Sequence, residues 1–81
     1  MTPTQAKPHI QMETYGGHQY RIDAFFHPTR RWGAKTNINE RDRNMSRQIF
    51  IDEQLSMEVA IAEVKRLAEE KIDELIKGGK L

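Results

Sequence analysis

Three histidines, His9, His18 and His27, recur at nine-residue intervals, and Asp23 lies between the last two. Imidazole and carboxylate are the groups that ligate zinc or trade protons near neutral pH, so this spacing raises a metal or general-base reading. A metal needs several ligands converging within ~2 Å of one ion, whereas His18 and His27 fall at opposite ends of one alternating segment. A general base needs a nucleophile and an orienting group within hydrogen-bond reach, and no such set can be read from the spacing. The glycine pairs are equally unpromising as phosphate cradles. Gly16-Gly17 lacks the downstream glycine and helix of a dinucleotide fingerprint, and Gly78-Gly79 follows a helical pattern rather than opening one. The acidic residues of the C-terminal segment alternate with lysine and arginine at helical spacing, as in Lys65 with Glu69 and Asp73 with Lys77, which marks a solvated face. No catalytic residue, cofactor site, metal site or small-molecule substrate is expected.

The other chemistry on offer is recognition. From Tyr15 to Phe50 seven basic residues stand against three acidic ones, net +4, whereas from Ile51 to Leu81 five stand against eight, net −3. The chain is therefore electrically two-ended. This asymmetry suits either an anionic partner drawn to the first part or complementary charge between the chain's own helix and sheet. Arg21, Phe25 and Lys35 fall on one parity of the alternating segments, with Arg30, Arg31, Arg41, Arg43 and Arg47 flanking them. Cations, amides such as Asn37 and Asn39, and a ring are the groups that contact phosphates, base edges and base planes.

The elements that must position these groups divide at Ser56. Before it, apolar residues alternate in segments at about 9–15, 18–27, 32–38 and 47–51, each read as a strand. Residues 1–8, polar and twice interrupted by proline, read as a flexible lead-in. A two-residue Gly16-Gly17 loop would set Met12 opposite Arg21 and Ile10 opposite Asp23. A three-residue Tyr15-Gly16-Gly17 loop instead sets Met12 opposite Tyr20 and Ile10 opposite Ile22, gathering the apolar side chains on one face, and is the expectation. His27-Pro28 breaks the pattern, and the polar stretch 39–46 is the longest loop.

After Ser56, a good N-cap, Met57, Ile61, Val64, Ala68, Ile72 and Leu75 recur at the α-helical period, predicting a helix over about 57–77 that Gly78-Gly79 ends. Leu55 is placed to staple onto Ala60. The expected fold is α+β: one antiparallel sheet or two small ones, packed on a C-terminal helix. Its core is Ile10, Met12, Tyr20, Ile22, Ala24, Phe26, Trp32, Ala34, Ile38, Ile49, Ile51, Leu55, Ile61, Val64, Ala68 and Ile72. A helix of this length, ~30 Å, outreaches a five-residue strand of ~17 Å. Its last turns, with Ile72, Leu75 and Ile76, must cover the first hairpin or meet another molecule. These three residues form a candidate protein-contact patch, for an unidentified partner or for self-association through the helix.

Length and composition bound the rest. Eighty-one residues make a single domain of modest stability, with no cysteine for a disulfide or a zinc thiolate. Neither an apolar leader core nor a run of ~18 apolar residues occurs, so secretion and membrane insertion are not expected, and a cytoplasmic location is.

Two resemblances bear on function. Over roughly Tyr20 to Lys77, three strands followed by an amphipathic helix, with Arg30-Arg31-Trp32-Gly33-Ala34-Lys35 running from the second turn into the strand at 32–38, resemble the sheet-reading DNA-binding domains of the AP2 and integrase arm-binding type. The glycine-rich, tryptophan-spaced pattern of the AP2 family is missing. That resemblance implies DNA or RNA binding by the basic sheet face and the 39–47 loop. The order YRIDAFF, RWGAKTNI, RQIFID, EVAIAEVKRLAEEKIDELI is similar to small α+β proteins carried by bacterial prophages. It implies an accessory or assembly role with a protein partner. A non-enzymatic protein-interaction role leads, and nucleic-acid binding is the alternative.

Overall fold

The computed structural model describes residues 9–39 and 46–81. Four strands, β1 (His9–Tyr15), β2 (His18–Phe26), β3 (Trp32–Asn39) and β4 (Ser46–Gln54), precede one helix, α1 (Met57–Lys77). The strands form one antiparallel sheet in chain order, with β1 and β4 at its edges. The fold is thus α+β, a single sheet packed on a C-terminal helix. The proposed lead-in, 1–8, and most of the polar loop, 40–45, lie outside the described residues.

The first turn departs from the sequence expectation. β1 pairs with β2 so that Ile10 is opposite Asp23 and Met12 opposite Arg21, the register of a two-residue Gly16-Gly17 loop. Both glycines have positive φ, 57° and 80°, as a tight hairpin turn of this hand requires. Ile10 and Met12 consequently leave the core, and His9, Gln11, Glu13 and Tyr15 take the helix side. The reason is the width of the cover. A helix is ~10 Å across and strands are ~4.8 Å apart, so α1 seals β2, β3 and β4 and leaves little apolar demand at β1. Polar contacts fill that flank: Lys65 Nζ lies 3.4 Å from Glu13 Oε1, and Tyr15 Oη donates to Asp73 Oδ2 at 3.0 Å.

The core comprises Tyr20, Ile22, Ala24, Ala34 and Ile38 from the sheet, and Ala60, Val64, Ala68, Ile72 and Leu75 from the helix. Thr36 joins them, its hydroxyl donating to the Arg21 carbonyl at 2.5 Å. Trp32, Ile49, Ile51, Met57 and Ile61 are half-buried around this centre. Phe26 and Leu55, expected inside, are exposed. Phe26 has the parity of Ala24 but sits at the end of the sheet, where its ring packs on Trp32 at 5.2 Å. Leu55 makes no staple; the Ser56 Oγ alone caps the helix, accepting from the Val59 N–H at 3.2 Å. At the other end Lys80 N–H donates to the Leu75 carbonyl at 2.8 Å, and Gly79, with φ 68°, supplies the left-handed residue that this closure needs.

The charge complementarity within the chain also resolves. Helix acids are paired along the helix: Arg66 bridges Glu63 and Glu70 at 2.9 and 2.6 Å, and Lys71 holds Glu74 at 3.0 Å. Lys65, expected to pair with Glu69, instead reaches Glu13 on the sheet.

Candidate functional site

One sheet face carries α1; among the described residues, no element covers the other. Alternation along each strand decides what it displays. From β1 come Ile10 and Met12, from β2 Arg21, Asp23 and Phe25, from β3 Lys35 and Asn37, and from β4 Gln48, Phe50 and Asp52. Strand pairing sets two rows across this face. Ile10, Asp23, Lys35 and Phe50 are successive partners in one, and Met12 stands opposite Arg21, with Asn37 opposite Gln48, in the next. Ile10, Met12 and Phe50 are 56%, 52% and 51% exposed on this face.

The aromatic end of the face is built around a glycine. Phe25 pairs with Gly33 on β3, and its ring lies over that glycine. The ring also contacts His27 edge-on at 4.9 Å and Phe50 at 5.8 Å. His27 Nε2 in turn meets Asp52 Oδ1. A break in the β3–β4 register follows between Ala34 and Trp32, where Glu53 takes a positive φ of 60°. Such irregularities bend a strand and re-aim its side chains.

Electrostatically the face is balanced. Arg21 grips Asp23 through two contacts, Nε to Oδ1 at 2.9 Å and Nη2 to Oδ2 at 3.1 Å. Lys35 stands directly across from Asp23, and Asp52 meets His27 at the aromatic end. A shallow groove of about 560 Å³ runs between Met12, Arg21, Asp23, Lys35 and Asn37.

The residues proposed for nucleic-acid contact are therefore dispersed. Arg21, Phe25 and Lys35 share the uncovered face. Arg30 and Arg31 lie at its end, in the 27–31 turn, where Arg30 has φ 66° and its N–H donates to the His27 carbonyl at 2.9 Å. Arg47 is opposite Ile38, on the helix side of the sheet. Arg41 and Arg43 lie outside the described residues. The helix patch is corrected too. Ile72 and Leu75 are 0% and 3% exposed within the core, and of the three only Ile76 is open. The last turns of α1 cover the first hairpin, with Ile76 Cδ1 3.1 Å from where a Cβ on Gly16 would stand.

No three His, Asp or Glu side chains among the described residues converge as metal ligands would. His9 is exposed at the start of β1 and shares a hydrogen bond with Gln11 Oε1 at 2.8 Å, far from His18 beside the Gly16-Gly17 turn. No helix of the described residues is long and apolar enough to cross a membrane.

Sequence reasoning missed the exposure of Ile10 and Met12 because it counted them as core, and it missed the pairing of Asp23 with Arg21 and of Asp52 with His27. The signal for the first was the Gly16-Gly17 pair itself, whose commonest use is the two-residue turn. No protein-family model matches the chain, and no curated protein or solved structure matches it either.

Proposed function

We propose that this chain is a non-enzymatic protein-interaction module, of an accessory or assembly kind, that engages its partner through the uncovered sheet face. The observation that carries this reading is the exposure of Ile10, Met12 and Phe50 on one face around a charge-balanced centre. Protein interfaces are enriched in aromatic rings, methionine and arginine relative to the rest of the surface, and this face displays Phe25, Phe50, Met12 and Arg21. A groove for nucleic acid would instead need unbalanced cations, since phosphate neutralisation supplies most of that affinity. The similarity to prophage-carried proteins fits an accessory role of the same kind.

The test is affinity capture with the parent chain and a Met12→Asp/Phe50→Asp variant in parallel, followed by identification of the retained proteins. A protein held by the parent at both ~50 and ~200 mM salt and released by the variant supports the reading, because apolar contact is salt-tolerant. If instead the parent binds labelled duplex or single-stranded DNA saturably, and loses it steeply over that salt range, the protein-interaction reading is overturned.

A further inference from the structure

Resting on that reading, we infer that the partner is a second copy of this chain, docked sheet to sheet about a two-fold axis that runs along the strands between β2 and β3. The central row of the face reads Ile10, Asp23, Lys35, Phe50 from edge to edge. It is symmetric in apolarity and antisymmetric in charge. A two-fold axis parallel to the strands sets β1 against β4 of the second copy and β2 against β3. Ile10 then meets Phe50 and Asp23 meets Lys35, each contact occurring twice, as an isologous interface demands.

The neighbouring row obeys the same operation. Met12 comes against the apolar stem of Gln48, and the Arg21 guanidinium comes against the Asn37 side chain, whose carbonyl oxygen accepts from it. A two-fold axis across the strands would stack Lys35 near Lys35 and Asp23 near Asp23, so the charge pattern selects the axis along the strands. Lys35 is exposed and makes no ion pair among the described residues, which leaves its ammonium available.

Packed sheets cross at ~30°, which keeps the centre of the row in register and leaves the long side chains at its ends within reach. Four strands of eight residues or so offer a flat footprint of ~500 Å², which side-chain relief raises towards the ~800 Å² per partner of a standard interface. The product is a four-layer α/β/β/α dimer. A small cysteine-free domain gains from it the burial that its own size cannot supply.

The decisive experiment uses two charge variants, Asp23→Lys and Lys35→Asp, and sedimentation of the purified chains. The parent should sediment as a dimer of 9.5 kDa chains at ~300 µM, the regime in which a modest interface is populated. Each variant alone faces like charge twice across the axis and should dimerise at least ~10-fold more weakly. Mixed in equal amounts, the two become complementary, because one chain then brings a pair of cations to the row and the other a pair of anions, and dimerisation should return. Circular dichroism of each variant establishes that it is folded. Rescue by mixing cannot arise from the intramolecular proximity of Asp23 and Lys35, because each variant carries its own clash within the chain.

A parent that is monomeric at ~300 µM overturns the inference. So does a dimer that either single variant leaves intact. In both cases capture of a different protein through Met12 and Phe50 would leave the broader reading standing, so the two failures are distinguishable.

Discussion

The ring of Phe25 occupies the space that a side chain at Gly33 would need. A Cβ built on Gly33 stands 2.8 Å from Phe25 Cε2 and Cζ, and 3.0 Å from the Ile51 carbonyl oxygen on the opposite strand. Glycine in a strand interior ordinarily weakens the sheet, and here an aromatic ring from the neighbouring strand covers the bare backbone. This arrangement fixes the aromatic end of the uncovered face.

Gly33→Ala should therefore destabilise the protein by ~1 to 3 kcal/mol, the usual cost of overpacking, although alanine has the better strand propensity. Adding Phe25→Ala should recover part of the loss, because the two residues share one space. Urea denaturation of the single and double variants checks this; equal stability of Gly33→Ala and the parent would mean that the ring moves aside freely.

Burial separates the apolar residues of the C-terminal half into two groups. Ile72 is fully buried and Leu55 is 77% exposed. Ile72→Ala should cost ~2 to 5 kcal/mol, a large share of a small domain's stability, while Leu55→Ala should stay within ~0.5 kcal/mol. Thermal melts of both variants compare them directly, and a Leu55 variant as damaging as the Ile72 variant would refute the assignment of the core.

Alkaline pH should reach the core through Tyr20. Its hydroxyl is pushed up to about 12, first by burial and then by the negative charges of Glu69 and Glu13. Because the folded protein holds this proton more tightly than the unfolded chain does, the associated stability is complete below pH 10.0 and is lost as pH rises towards 12. At ~1.4 kcal/mol per pKa unit the loss is on the order of 2 kcal/mol. Tyr20→Phe keeps the ring and has no proton to release, so its Tm should fall less steeply across that window. If the variant and the parent decline in parallel, another group governs the alkaline limb.

Much of the architecture was legible in the residues. The 3.6-residue recurrence from Met57 to Leu75, with Ser56 before it and Gly78-Gly79 after, defines a helix whose cap and stop are local chemistry. The alternation in YRIDAFF and in WGAKTNIN defines strands for the same reason, because the period of two is a property of the extended backbone. Phe50 was legible as opposite in parity to Ile49 and Ile51.

What the sequence by itself determined, then, was the set of elements, their order and the two faces of each strand. Which face of β1 meets the helix was decided only in three dimensions. Ile10 and Met12 alternate with Gln11 and Glu13 as cleanly for one assignment as for the other. The choice follows from a turn of two glycines at positive φ and from a helix too narrow to seal four strands. The same assembly brought Asp23 beside Lys35, turned Arg47 to the helix side and drew Leu75 into the core. Register and coverage are relations between elements, and periodicity within one element carries no information about them.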